Sequence, residues 1–483
     1  MSFYIYDLGF LVIFCLALFL FLYVRRKNLK REGVMYLYKT KVGIKFINYV
    51  GTKYKKTLSV ISFLSIVSGY FLMIAMIYLL ARMIYIYVFV PEIVRAVGIP
   101  PIMPLIPYID KVVSTSFLPP FYFTYWIIAI AVLAIFHEFA HGIIARRYGI
   151  KIKTTGFGFL GPFLAAFVEP DEKQMQKKPK YQQIAVLSAG TFTNLILAIL
   201  FFFMLSGFFV LTYAPSGALF NSYALGIVNI NSIDKINGFS ISDNTNQGIL
   251  DIINKNKVID DVNLAGNNYT KIIADNKTYF IRVEGLKNQL KQEDKIIVYF
   301  DSPAIEAGLS GTIIAINKEK ISSQADLASI MKKYSPGNKI KITTKDNNKI
   351  RDYEIKLGED PNNKSRAVIG IIYISPQKGT VLGKIYDFFN FSKEKATDYE
   401  PRYNTDFIVF IYNLIWWLAL INLSVALMNM LPFTIFDGGR FFMLTVWGIT
   451  KSQKFAEWAF RMINWVILGI IFIMMVGWAV AVF

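Results

Sequence analysis

A-I-A-V-L-A-I-F-H-E-F-A-H-G-I-I-A-R-R, residues Ala129–Arg147, decides the reading of this chain. It is an apolar run with His137, Glu138 and His141 in its second half, and the two histidines are the only ones in 483 residues. At i and i+4 on a helix both imidazoles lie on one face, one turn apart. That spacing suits two nitrogen ligands of one zinc, with Glu138 placed to deprotonate a metal-bound water. H-E-x-x-H is short and also arises by chance, but its setting adds weight. Ionisable groups inside a hydrophobic segment are costly unless they coordinate something or pair.

The composition is that of a multi-pass membrane protein: 54% hydrophobic, with 41 Phe and 28 Tyr. The net charge of +19 is therefore read as topology, and no nucleic-acid partner is expected. The single cysteine, Cys15, lies in an apolar run and excludes an internal disulfide. The first apolar segment has its basic cluster after it rather than before it, so it is read as a retained span and not a signal peptide.

Six spans are expected: Phe3–Val24, Leu58–Val90, Phe121–Tyr148, Tyr181–Tyr213, Asp406–Met430 and Trp458–Phe483. Basic residues collect at 25–57, after Tyr148 and at Lys451, Lys454 and Arg461. The positive-inside rule puts these in the cytoplasm, with both termini outside and the histidines nearer the cytoplasmic face. The chain then divides into residues 1–120, 121–213, 214–405 and 406–483. The first part ends in an outer loop, 91–120, whose seven prolines prevent a long helix. Residues 153–173 are apolar and aromatic, broken by Gly156, Gly158, Gly161 and Pro162. They read as a β-hairpin dipping into the membrane, or else as a surface loop with an apolar tip. Residues 214–405 are rich in Lys, Asn and Asp and form a water-soluble insert on the outer side.

Two further stretches bear on the histidines. Ser188–Asn194, S-A-G-T-F-T-N, offers small residues for close helix packing. Its Asn194 needs a partner, on a neighbouring helix or in the site. Asn429–Arg440, N-M-L-P-F-T-I-F-D-G-G-R, puts Asp437 in an apolar neighbourhood at a depth similar to the histidines. Asp437 is the candidate third ligand for a metal that two histidines leave short, the alternative being a helix cap before Gly-Gly.

Taken together, H-E-x-x-H, A-G-x-x-x-N and N-x-x-P-x-x-x-x-D-G-G resemble the site-2 protease family of intramembrane metalloproteases, over about residues 121–450. Residues from about 300 to 375 resemble a PDZ domain, with a helix at 304–307, strands at 312–317 and 339–345 and a helix at 323–333. Residues 233–243 echo its strand-turn-strand signature. The fold implied is an α-helical polytopic membrane protein with a membrane-associated β-hairpin and an α/β PDZ-like extracytoplasmic insert. The resemblance implies one Zn2+ per chain on His137, His141 and Asp437, with Glu138 activating water. It implies substrate contacts at Asn429 and along the hairpin, where Gly161 and Phe163 stand, with Asn194 added to that set. The expected partners are transmembrane protein substrates, the lipid bilayer and a C-terminal peptide at the PDZ-like insert. Thr191 departs from the family, which often has proline after the A-G. The rivals are an ion or solute transporter, which also places charge in the membrane, and a catalytically silent scaffold.

Overall fold

Helices long and apolar enough to cross a membrane arise wherever the sequence supplies about twenty apolar residues without a breaker. The computed structural model describes residues 3–482 except 34, 104, 110–117, 161–162, 257, 265–266, 292–293, 347–348, 361–362 and 375–391. Among the described residues six helices qualify: α1 (Phe3–Val24), α3 (Lys55–Phe89), α4 (Phe123–Arg147), α5 (Lys180–Thr212), α6 (Thr405–Met428) and α8 (Gln453–Val482). Shorter helices α2 (Ile44–Lys53) and α7 (Asp437–Thr450) lie between them. The chain is thus a multi-pass membrane protein. It divides into two compact units, Met1–Gly207 with Val409–Phe483, and Phe208–Ile408.

In the first unit α3 shows how an almost wholly apolar helix chooses a face. Its buried residues are Leu58, Ser62, Ser65, Gly69, Leu72, Met73, Met76 and Leu80, a stripe that steps by three and four. Small residues open that stripe to close approach. Ser188 Oγ donates to Ser65 Oγ at 3.3 Å, and a Cβ on Gly69 would come within 2.9 Å of the Phe441 ring. α1 is fastened differently. Its Asp7 is buried and caps α4: Oδ2 accepts from Phe123 N at 2.8 Å and from Tyr108 Oη at 2.7 Å, and Oδ1 accepts from Thr124 N at 2.9 Å. These bonds satisfy amides at the start of α4 that no helical carbonyl reaches.

The expected hairpin is present and is larger than the sequence indicated. The basic stretch after α1, read as a cytoplasmic loop, contributes β1 (Leu29–Glu32) and β2 (Met35–Thr40). They join β3 (Ile152–Leu160) and β4 (Phe163–Pro170) in one antiparallel sheet, order β1-β2-β3-β4. Gly156 permits the pairing, because a Cβ there would strike the Tyr38 carbonyl across the ladder. β4 is an edge strand among the described residues. Gly161 lies outside the described residues, and Phe163 is placed only as the first residue of β4. Among its described residues the Pro-rich stretch carries a short helix, Pro91–Val97, with Pro91 at its first position where the missing N–H costs nothing.

The second unit holds two α/β modules, each with its own aliphatic core. In the first, strand Ile233–Ile236 turns at Asn237 and Gly238, both at positive φ, into Phe239–Ser240, and helix Asn246–Lys255 follows behind a Thr245 cap. In the second, Thr312–Ile316 turns at Asn317 and Lys318, again at positive φ, into Glu319–Lys320, and helix Gln324–Met331 follows behind a Ser323 cap. Each asparagine side chain accepts the backbone N–H of a neighbouring strand, Lys271 or Lys341, at 2.8 Å. The insert therefore contains an internal structural repeat. The helix expected at 304–307 and the strand expected at 339–345 appear as Pro303–Ala307 and Lys339–Asp346.

Candidate metal centre

α4 presents His137 and His141 on one face, as the four-residue spacing requires, and both Nε2 atoms converge. They stand 3.0 Å apart. Asp437, the first residue of α7, brings Oδ2 to 3.4 Å from His137 Nε2 and 3.3 Å from His141 Nε2. Three donors at ~2.0–2.1 Å from one tetrahedral ion would be about 3.3 Å from one another, so the spacing fits a metal. The other ring nitrogens are engaged. His141 Nδ1 donates to the Val186 carbonyl at 2.6 Å, which leaves Nε2 as the electron donor. His137 Nδ1 lies 3.0 Å from the Asn194 side-chain amide. Asn194 is fully buried, and its Oδ1 is among the buried atoms without a partner. A His137 ligating through Nε2 carries a proton on Nδ1, so the amide orientation that serves it turns Oδ1 to the ring. Asn194 therefore sits behind a candidate ligand histidine, facing it.

Glycine makes the approach possible. A Cβ on Gly190 would come within 2.6 Å of His137 Nε2 and would crowd His141 as well, so α5 lies against both imidazoles only because that position is bare. In α7, Gly438 packs against the Met430–Leu431 backbone, and its N–H donates to the Asn429 carbonyl at 2.7 Å. This bond ties Asp437 to the segment that carries Asn429.

Glu138 is held by the sheet. Its Oε2 accepts the backbone N–H of Val168 in β4 at 2.9 Å, and Oε1 has no partner among the described residues. The bond also reports the polarity of the edge. Val168 N–H points away from β3, so by alternation Leu164 and Ala166 point theirs the same way, while Ala165 and Phe167 point theirs into the sheet. A cavity of about 390 Å³ joins these parts, lined by His137, Glu138, His141, Val168, Asn429 and Asp437 among others. At its rim the Arg440 guanidinium pairs with Glu172 at 2.7 Å. The side-chain amide of Asn429 makes no hydrogen bond among the described residues, although it faces this cavity.

The structure thus brings together His137, Glu138, His141, Asp437 and Asn429, and sets Asn194 one layer back. Gly190 stands in the Ser188–Asn194 run expected to allow close helix packing, and it does so against the two imidazoles. The sequence did not point to the Val186 carbonyl or the Val168 N–H, which are backbone groups that no side-chain pattern marks.

Comparisons with known proteins agree with this geometry. An uncharacterised protein of Methanocaldococcus jannaschii is 30% identical over 178 residues, 35% of this chain and 43% of that protein, so the match spans less than half of the relative. The sequence model of peptidase family M50 matches residues 125–348 and 400–475. Those two stretches contain every residue that lines the pair of imidazoles and the carboxylate, and the chain belongs to peptidase family M50, the site-2 proteases.

Proposed function

We propose that the protein is a zinc endopeptidase that cuts peptide bonds within transmembrane segments of other proteins. The observation that carries this reading is the cavity in which His137, His141 and Asp437 converge beside an open strand edge. The three side chains would hold one zinc ion. When bound, the ion supplies a water of pKa near ~7 and an electrophile for the scissile carbonyl.

The chain's own groups do the rest. Glu138 is pinned through Oε2, which leaves Oε1 to take the proton from the attacking water and deliver it to the leaving amine. A substrate helix hides its amides, so it must unwind, and in hydrocarbon each bare N–H or C=O costs several kcal/mol. The outward amides of Leu164 and Ala166 offer the partner such a strand requires. Asn429, which lines the cavity, would bond substrate backbone. Asn194 orients His137 rather than touching substrate. The orientation read from the basic loops belongs to this proposal: termini and insert outside, site nearer the cytoplasm. So does a PDZ-like role for the second insert module, reading a C-terminus left by an earlier cut.

The test compares membrane fragments from cells carrying wild type and Glu138→Gln by mass spectrometry. Fragments ending inside predicted spans should appear only with wild type, and the rate should fall by about 10²–10⁴-fold in the variant. Equal fragment yields from the two would remove Glu138 from the chemistry. Metal content of the purified variant should stay at the wild-type level.

A further inference from the structure

The short helix α2 lies directly behind the segment that carries the metal-site residues. Gly43, at its N-cap, lies against the Phe139 ring, where a Cβ would come within 2.6 Å. Ile47 is fully buried and reaches Gly142, and Gly51 lies against Arg146. Positions 43, 47 and 51 thus meet 139, 142 and 146, interleaved with His137, Glu138 and His141. The opposite face of α2 and its flanks have the composition of a membrane-surface helix: Val42, Phe46, Tyr49 and Tyr54 are exposed, beside Lys45 and Lys53.

Where α2, the start of α3 and the end of α4 meet, cations collect. They are Lys53, Lys55, Lys56, Arg146 and Arg147, and Arg147 Nε donates to the Lys55 carbonyl at 2.8 Å. No acidic residue occurs between Glu32 and Glu92, nor between Glu138 and Glu169. None of the five makes an ion pair among the described residues. A favourable end-of-helix field accounts for basic residues in the last turn of α4. It does not account for Arg146 Nε, which is buried and has no hydrogen-bond partner. The cluster sits where the apolar run of α3 begins, at Leu58, and where that of α4 ends. That is the level of lipid headgroups.

We propose that this junction binds the phosphate headgroup of an anionic phospholipid, and that α2 couples the bound lipid to the His137–His141 segment. The coupling half rests on the proteolytic reading above; the binding half does not.

The experiment uses the full chain in vesicles of phosphatidylcholine with increasing phosphatidylglycerol. Lipid retained after transfer to detergent is weighed by native mass spectrometry, and cleavage is timed in the same vesicles. Wild type should retain phosphatidylglycerol in preference to phosphatidylcholine, and cleavage should rise several-fold with its content. Arg146→Gln should lose that preference and that rise with its metal content intact. The surface pair Lys53→Gln and Lys56→Gln, which leaves the contacts of Gly43, Ile47 and Gly51 with α4 untouched, should weaken retention by about five-fold per charge removed. Equal retention of the two lipids by wild type, or unchanged preference in both variants, overturns the site. Displacement of the lipid by inorganic phosphate at millimolar level would show a soluble-phosphate site and also overturns it. Selective retention with no cleavage in any vesicle upholds the lipid site and sinks the proteolytic reading instead.

Discussion

The insert and the membrane unit bury different mixtures. The two insert cores are aliphatic, with Ile236, Ile272, Ile296 and Val298 in one module and Ile313, Ile316, Ile342 and Leu327 in the other. The membrane unit buries similar side chains together with Asp7, Ser62, Ser65, His137, Ser188, Thr191, Asn194 and Asn422, while Phe19, Phe63, Phe71, Phe203 and Phe472 face outward. In the insert the polar side chains buried among the described residues are hydroxyls alone, Thr270 and Thr344 among them, because water supplies the driving force and larger polar groups keep their hydration. In the membrane unit lipid is as apolar as the side chains, so burial follows size and hydrogen bonding instead. A polar residue inside it marks a packing seam, a cap or a site. Asp7 is a cap, Ser65 with Ser188 is a seam, and His137 with Asn194 belongs to the site.

That contrast sets what substitutions should do. The largest effect falls on the polar interior. Asp437→Ala should lower metal affinity by well over ~100-fold, more than the loss of a supporting hydrogen bond costs. Metal content after dialysis against a chelator measures it. Full occupancy in that variant, at wild-type rate, would take Asp437 out of the site and leave it as a helix cap.

Next comes the aliphatic interior. Ile272→Ala, at a fully buried position in the insert, should destabilise that module by about 2–5 kcal/mol in a denaturant titration. Metal content should not change. A variant that sheds metal would break the comparison, since the two interiors would then not be independent.

The smallest effect tests the strand edge. Leu164→Pro and Ala166→Pro each remove an outward N–H and should slow cleavage by about ten-fold, the value of one hydrogen bond. Protection of the hairpin against protease should persist. Ala165→Pro and Phe167→Pro remove ladder bonds to β3 and should cost that protection too. Equal protease protection and equal rates across all four would mean that β4 is not a template.

Much of the first unit was legible from sequence because its signals are local. Six apolar runs gave six helices whose ends moved by at most about five residues, and two four-spaced histidines gave one face of a helix. Asp437 was legible because an acid in an apolar run must be explained. What was hidden depends on non-local pairing. β1 and β2 were masked by their charge: L-K-R-E and M-Y-L-Y-K-T read as a basic loop until β3 supplies a neighbour. The helix Asp437–Thr450 is hidden in the sequence because the D-G-G start, with two glycines, argues against helix on propensity alone. The N–H of Val168 carries no letter of its own, and its role appears only when Glu138 is placed beside it.

The Asp7 cap has a mechanical consequence. α4 is gripped at its first turn by a carboxylate from α1 and braced along its second half by α2, so it behaves as a beam fixed at both ends. Such a beam neither slides along its axis nor tilts without breaking a cap or opening a packed face. Its ligands keep a constant position, and any travel needed to admit a guest is left to parts that lack a second support. The start of β4, away from the Val168 bond to Glu138, and the Arg440–Glu172 contact at the rim are such parts.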